Sequence, residues 1–331
     1  MKKIFSFVLF PQVLLLILLN TIPSVFMTQL VFDNAPEVYL PKELPSVVLK
    51  EKLSKLYPSD QIAMILFKGD KLYTDDFLDK LEQAAKEIKR HPKVDRVINV
   101  TEMEHIEGNE EGFEASSLLG KERRKKLKDP VKRYLFAIKD RTASDLIVSN
   151  TNEQVMAMVV RPGTLDSTMD RIALMETVYK ALAKQHIDSL VYAQAGPIIN
   201  EIEQFDAMIK DIVLLVPGTM IIGLLLIWFM FKRALAVLLA GLLTGAVVNA
   251  TMLLFIIFSV PYTMISGMLA PLLSALTTAF LIHFYSYLKL ASSYHYERKK
   301  RVIFAVEQVK KPAFYTALTT VLGLASMSVS P

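Results

Sequence analysis

Hydrophobic positions are spread unevenly along the chain. They are concentrated in residues 1–30 and again in 211–331, whereas residues 31–210 mix apolar and charged positions as a water-facing domain does. A helix pairs its backbone amides internally, and about 20 apolar residues of it cross the hydrocarbon layer of a bilayer. Five stretches read as such spans: Ile4–Met27, Ile212–Phe231, Ala234–Val260, Met264 to about Leu288, and Ala313–Ser330. The first is longer than the roughly 7 to 15 apolar residues of a cleaved secretory signal, and "TIPSVFMTQ" offers no small-residue cleavage site, so a retained anchor is expected.

Between the first and second spans a pattern occurs twice. "QIAMILF" (61–67) is a short β-rich run; "TDDFLDKLEQAAKEIKRH" follows, with Phe77, Leu78, Leu81, Ala84, Ala85 and Ile88 at helical spacing; "VDRVINV" closes the unit. The second copy is "VMAMVV" (155–160), then "STMDRIALMETVYKALAKQ" with Met169, Ile172, Leu174, Met175, Val178 and Tyr179 on one stripe, then "IDSLVYAQ". Asp75 and Ser167 are the expected helix N-caps, and Pro92 follows the first helix where a stop is expected. Two strand-helix-strand units of about forty residues predict two small α+β subdomains with helices on one face of a sheet. The connecting "EHIEGNEEGFEASSLLGKERRKKLKDPVKRY" lacks a sheet period and is expected to form a loop and a polar helix.

The chain thus divides into a first transmembrane helix (1–30), an external α+β domain (31–210) and helices two to five (211–331) with a basic amphipathic linker at about 292–312. Composition agrees: among 331 residues 52% are hydrophobic, and the mean hydropathy is +0.35. The net charge of +5 is largely a topology signal. Lys2 and Lys3, Lys232 and Arg233, and "ERKKR" with Lys310 and Lys311 fall on one side if the spans alternate, and the short loop "VPYT" on the other carries no charge. Cytoplasmic loops collect Lys and Arg, so the N-terminus is expected inside and the 31–210 domain outside. Nucleic acid is not needed to explain this basic excess.

The order of parts resembles the first half of the resistance-nodulation-division (RND) superfamily, in particular its lipid-exporting, MMPL-like branch. The resemblance lies in "AGPIINEIEQFDAMIKDIVLLVP" leading into span two, "YTMISGMLAPLLSALTTAFLIHFYSYL" through span four, and "RVIFAVEQVKKPAFYTALTTVLGLASMSVS" into span five, with Pro312, Thr319, Thr320 and Gly323 matching the family's proline, Thr-Thr pair and glycine. It implies an α-helical multi-span protein of a bacterial inner membrane, with a ferredoxin-like porter domain of two βαβ units outside. It also implies proton-driven secondary transport of lipids or other hydrophobic compounds, and a twelve-span whole in two halves, so the partner is a second half or a further copy of the chain. The alternative is a lipid-sensing or scaffolding membrane protein of the same architecture.

Proton coupling needs a titratable group inside the bilayer. Family members often carry an aspartate in the fourth span; here that neighbourhood is Thr277, Thr278, Ala279 and Phe280, and no span contains Asp or Glu. His283 remains as the candidate, since histidine is the side chain type that exchanges a proton near neutral pH. The competing reading is a neutral histidine bonded to Thr320 or Ser286. Asn249, Thr277, Thr278, Thr319 and Thr320 either line a polar path or hydrogen-bond across packed helices, and packing is the commoner role. Gly241 and Gly245 form a small-xxx-small pair that allows close helix approach. In the linker, Val302, Ile303, Val306 and Val309 share a face behind a basic cluster, as in a helix lying on the inner leaflet. The run "KERRKKLK" (121–128) reads as a solvated helix face. No phosphate loop, zinc-ligand spacing or nucleophile motif occurs, and cysteine is absent, so neither enzyme chemistry nor a cofactor is expected.

Overall fold

The computed structural model describes residues 14–327 apart from 24, 42, 57–60, 110–111 and 295–296. The chain begins with α1 (Leu14–Gln29) and α2 (Pro45–Leu56). It continues through β1 (Ala63–Lys68), α3 (Asp75–Ile88) and β2 (Val94–Ile98), then β3 (Glu104–Asn109) and β4 (Gly112–Ser117). Two short helices, α4 (Lys121–Lys126) and α5 (Pro130–Ala137), lead to β5 (Val155–Pro162), α6 (Thr168–Lys184) and β6 (Val191–Ala195). The remainder is helical: α7 (Pro197–Phe231), α8 (Ala234–Ile257), α9 (Met264–Gly267), α10 (Leu269–Ala291) and α11 (Arg298–Met327). Two compact units result, Phe32–Asp206 and the combination of Met1–Val31 with Ala207–Pro331.

In the first unit the two strand-helix-strand repeats do not close separately as two subdomains. Their strands alternate in one sheet of order β2-β5-β1-β6, with every neighbouring pair antiparallel, which is the order of the split βαβ. A single repeat has two strands that are not neighbours, so each supplies the strand the other lacks. Ala63, Ile65 and Phe67 of β1 alternate inward, and α3 and α6 pack side by side over one shared core. The α3 stripe is the expected one: Phe77, Leu78, Leu81, Ala84, Ala85 and Ile88 are all buried. On α6 the stripe is rotated. Leu174, Met175, Val178, Ala181 and Leu182 are buried, whereas Met169 and Tyr179 face outward and Arg171 faces inward. Ser167 caps α6 by accepting from the Asp170 amide, but the N-cap of α3 is Thr74, one residue before the expected Asp75, which is the first residue of the helix.

The connection between the repeats also differs from expectation. Residues 104–117 form the antiparallel β3–β4 hairpin, with Ile106 opposite Ala115 and Gly108 opposite Phe113. Ile106 is 65% and Phe113 87% exposed, so no buried face imposed an alternation on the sequence.

Among the described residues three helices are long and apolar enough to cross a membrane: Pro197–Phe231, Ala234–Ile257 and Met264–Ala291. The first expected span is represented by α1, with residues 4–13 lying outside the described residues. The fifth is the C-terminal part of α11, of which 328–330 lie outside them. The basic linker and the fifth span are one continuous helix with Pro312 inside it, not a separate surface helix followed by a span.

Candidate functional site

Polar groups within the apolar helices fall into separate contacts. On α1, Asn20 donates from Nδ2 to the Leu16 carbonyl (2.8 Å) and to the Leu242 carbonyl of α8 (3.0 Å). Asn249 on α8 returns a bond to the Asn20 carbonyl at 3.4 Å. Gly245 makes room for this arrangement, because a Cβ there would stand 2.4 Å from Asn20 Oδ1. Gly241, the other half of the pair, faces Met220 and Leu224 of α7 at ordinary contact distances. The two glycines therefore serve two different neighbours.

Thr278 of α10 is buried against α7, where a Cβ on Gly223 would lie 2.7 Å from both its Cγ2 and its Oγ1. The backbones of α7 and α10 approach closely only because Gly223 has no side chain. Thr277, the next residue, is half-buried. Thr319 and Thr320 both donate to the Thr316 carbonyl of their own helix at 2.9 Å, which satisfies the hydroxyls locally. His283 is exposed on α10 and has no hydrogen-bond partner among the described residues, neither Thr320 nor Ser286. Among the described residues no hydrogen bond joins any two of the six candidates: Asn249 bonds to α1, Thr278 packs against α7, and Thr319 and Thr320 bond within α11. Asn20 is the residue the sequence reading passed over. Its signal was present, as a lone amide in an apolar run is costly unless it bonds.

The sheet unit holds three polar clusters. Arg124 and Arg133 are buried at 3% and 2% exposure. Arg124 donates to Asp79 Oδ1 (2.8 Å) and Asp75 Oδ1 (3.3 Å), and it lies 3.5 Å from Glu82. Arg133 donates to Asp75 Oδ2 (3.0 Å), the Tyr73 carbonyl (2.9 Å) and the Leu127 carbonyl (2.7 Å). The "KERRKKLK" run is therefore not a uniformly solvated face: Arg124 turns inward and fastens α4 to the acidic side of α3, where two planar guanidinium groups bridge three carboxylates. Burial, with Tyr134 and Glu153 adding to it, pushes the Tyr73 hydroxyl well above its ordinary value, so it stays protonated.

Arg171, in the first turns of α6, forms a buried ion pair with Glu201 of α7 at 2.8 Å, and Thr168 donates to the other carboxylate oxygen at 2.8 Å. The third cluster ties the hairpin to α5 and the loop after it. Asp140 contacts His105 Nδ1 and accepts from Thr142 and from the Thr142 and Ala143 amides. Burial alone would raise the Asp140 pKa, but these donors outweigh it and bring it from 3.8 to about 2. Phe136 packs edge-on to His105 and carries the Arg123 guanidinium over its ring at 4.6 Å.

None of the three clusters pairs a nucleophile with a base. Among the described residues no group of three or more His, Asp or Glu side chains is placed to hold a metal ion. Each cluster joins segments distant in sequence, which is a structural task. Neither a protein-family model nor a characterised protein matches the chain.

Proposed function

We propose that the chain is the N-terminal half of an RND-type secondary transporter that moves lipids or other hydrophobic compounds out of a bacterial cytoplasmic membrane. In this reading the N-terminus is cytoplasmic, α1, α7, α8, α10 and the end of α11 cross the bilayer, and the split βαβ unit forms an extracytoplasmic porter domain. The observation that carries it is the insertion of one four-stranded split βαβ sheet between the apolar helices α1 and α7, with β6 passing into α7 through Gly196 alone. Three helices of 35, 24 and 28 residues with membrane-like hydropathy support the bilayer setting.

Transport at the helix bundle would use an interface shared with a second half or a further copy, as transporters built from repeated halves do. A proton relay through this half would rest on His283, the one histidine within spans two to four. The second reading, a lipid-sensing or scaffolding protein, is favoured by one observation: those spans carry no carboxylate and His283 engages no described neighbour.

Proteoliposomes containing the full-length protein separate the two. Under the transport reading, labelled phospholipid or another amphiphile accumulates across the membrane on imposing a proton gradient, and accumulation stops when the gradient is dissipated. Saturable lipid binding with no gradient-dependent movement would replace transport by sensing.

A further inference from the structure

We propose that α2 is an interfacial helix, lying on an anionic lipid surface with Leu49, Leu53 and Leu56 set into the headgroup layer. This rests on the reading that the apolar helices cross a bilayer. Leu49, Leu53 and Leu56 are spaced four and three residues apart, so they form one stripe on the helix, and they are 56%, 43% and 76% exposed. Every other described side chain of α2 is exposed as well, except half-buried Val47. A helix of 12 residues is marginal in water on its own, and an uncovered leucine stripe adds no stability to it. Among the described residues nothing covers the stripe.

The chain itself points to lipid. Phe32 stacks edge-on to Phe205 at 5.2 Å, its carbonyl accepts from the Thr168 amide, and Ala35 is buried, so residues 32–35 are fixed to the sheet unit. Beyond them Tyr39, Leu40 and Leu44 are exposed, and an apolar segment continues into α2. On the other side of this anchor, the Val31 carbonyl accepts from the Tyr262 amide at 2.7 Å, in the turn that joins α8 to α9. That turn is the end of a membrane-crossing helix pair. The fourteen residue steps from Val31 to Pro45 span at most about 50 Å when fully extended, so α2 is tethered within reach of the headgroups.

Charge selects among surfaces. On the helical wheel Lys52 and Lys50 fall on either side of the leucine stripe, and the helix as a whole carries three lysines and one glutamate. Lysines bordering an apolar stripe lay their methylene stems along the acyl boundary and hold their ammonium groups among the phosphates. A groove on an acidic protein would also accept basic residues, but it would cover the stripe without bringing it near acyl chains.

The chain has no cysteine, so single probes are placed without background. Leu53→Cys, Glu51→Cys on the opposite face of α2, and Leu226→Cys on the exposed side of α7 are labelled in the full chain with an environment-sensitive fluorophore. Each is reconstituted in phosphatidylethanolamine/phosphatidylglycerol vesicles containing a shallow brominated lipid. The expected result is quenching several-fold stronger at 53 than at 51, with the difference shrinking when phosphatidylcholine replaces the anionic lipid. Equal, weak quenching at 53 and 51 overturns the proposal, as does shielding of 53 from both water and bromine by a protein. A difference unchanged in pure phosphatidylcholine overturns its anionic part. Absence of quenching at 226 sinks the bilayer reading itself, whereas quenching at 226 without quenching at 53 sinks only the placement of α2.

Discussion

Arg171 and Glu201 form a buried ion pair, with Nε and Oε2 2.8 Å apart, between the first turns of α6 and of α7. Thr168 completes the carboxylate, while Nη1 of Arg171 finds no hydrogen-bond partner among the described residues. Removing one partner of such a pair strands the other charge, which costs about 3 to 5 kcal/mol, whereas apolar replacement of both is often neutral or better. Glu201→Ala is therefore expected to lower the unfolding temperature of the sheet unit sharply, and Arg171→Met with Glu201→Leu to recover most of it. Protease resistance of the purified full chain during a thermal ramp reads both. Additive losses in the double variant would contradict the account.

Gly223→Ala is expected to disrupt the α7–α10 contact, because its Cβ would meet the Thr278 side chain at 2.7 Å. Overpacking of this kind costs roughly 1 to 3 kcal/mol. Thr278→Ala removes both atoms at 2.7 Å and leaves a Cβ contact of 3.2 Å, so the double variant is expected to regain most of the lost stability. The single tryptophan, Trp228, lies one turn further along α7 and reports the change by fluorescence in detergent.

Acid is expected to weaken the tie that Asp140 makes. Its carboxyl ionises at about 2 in the fold against 3.8 ordinarily, so the ionised form binds more favourably to the native state. The stability it contributes is fully present above roughly pH 4 and is lost as pH falls from 4 towards 2. Asp140→Asn is expected to flatten the pH dependence of urea unfolding in that window while leaving the slope above pH 5 unchanged. An unaltered acid limb would remove Asp140 from the cause.

The side chains of Asn20 and Asn249 each donate to a backbone carbonyl across α1 and α8, Leu242 and Asn20 respectively. Interhelical bonds in lipid contribute about 0.6 to 2 kcal/mol. Asn20→Leu, which removes the 3.0 Å bond to Leu242, and Asn249→Leu, which removes the 3.4 Å bond to the Asn20 carbonyl, are each expected to lower stability within that range by steric-trap or denaturant unfolding in bicelles. No loss in Asn249→Leu would mean the 3.4 Å contact contributes nothing.

Local pattern was legible in the sequence, and long-range pairing was not. The α3 stripe could be read because both of its flanks are polar and its period is helical over four turns. On α6 the same method misplaced Met169 and Tyr179, since Arg171 turns inward to meet Glu201, thirty positions away, and the true stripe rotates towards Ala181 and Leu182. The hairpin 104–117 was hidden because neither of its faces is buried, and Arg124 because its carboxylates lie 45 and 49 positions upstream. Asn249 likewise finds its partner 229 residues back along the chain, at a position no periodicity marks.

Gly196 joins the last strand to α7 with φ at +114°, and a Cβ there would stand 2.4 Å from the Ile62 carbonyl oxygen. Ile198 and Ile199 are then already in the core of the sheet unit, and Glu201 is held by Arg171. There is no slack at this joint. A ligand that tilts the sheet would drag the start of α7 with it like the handle of a lever, and a larger residue at 196 would loosen the grip before it altered either element.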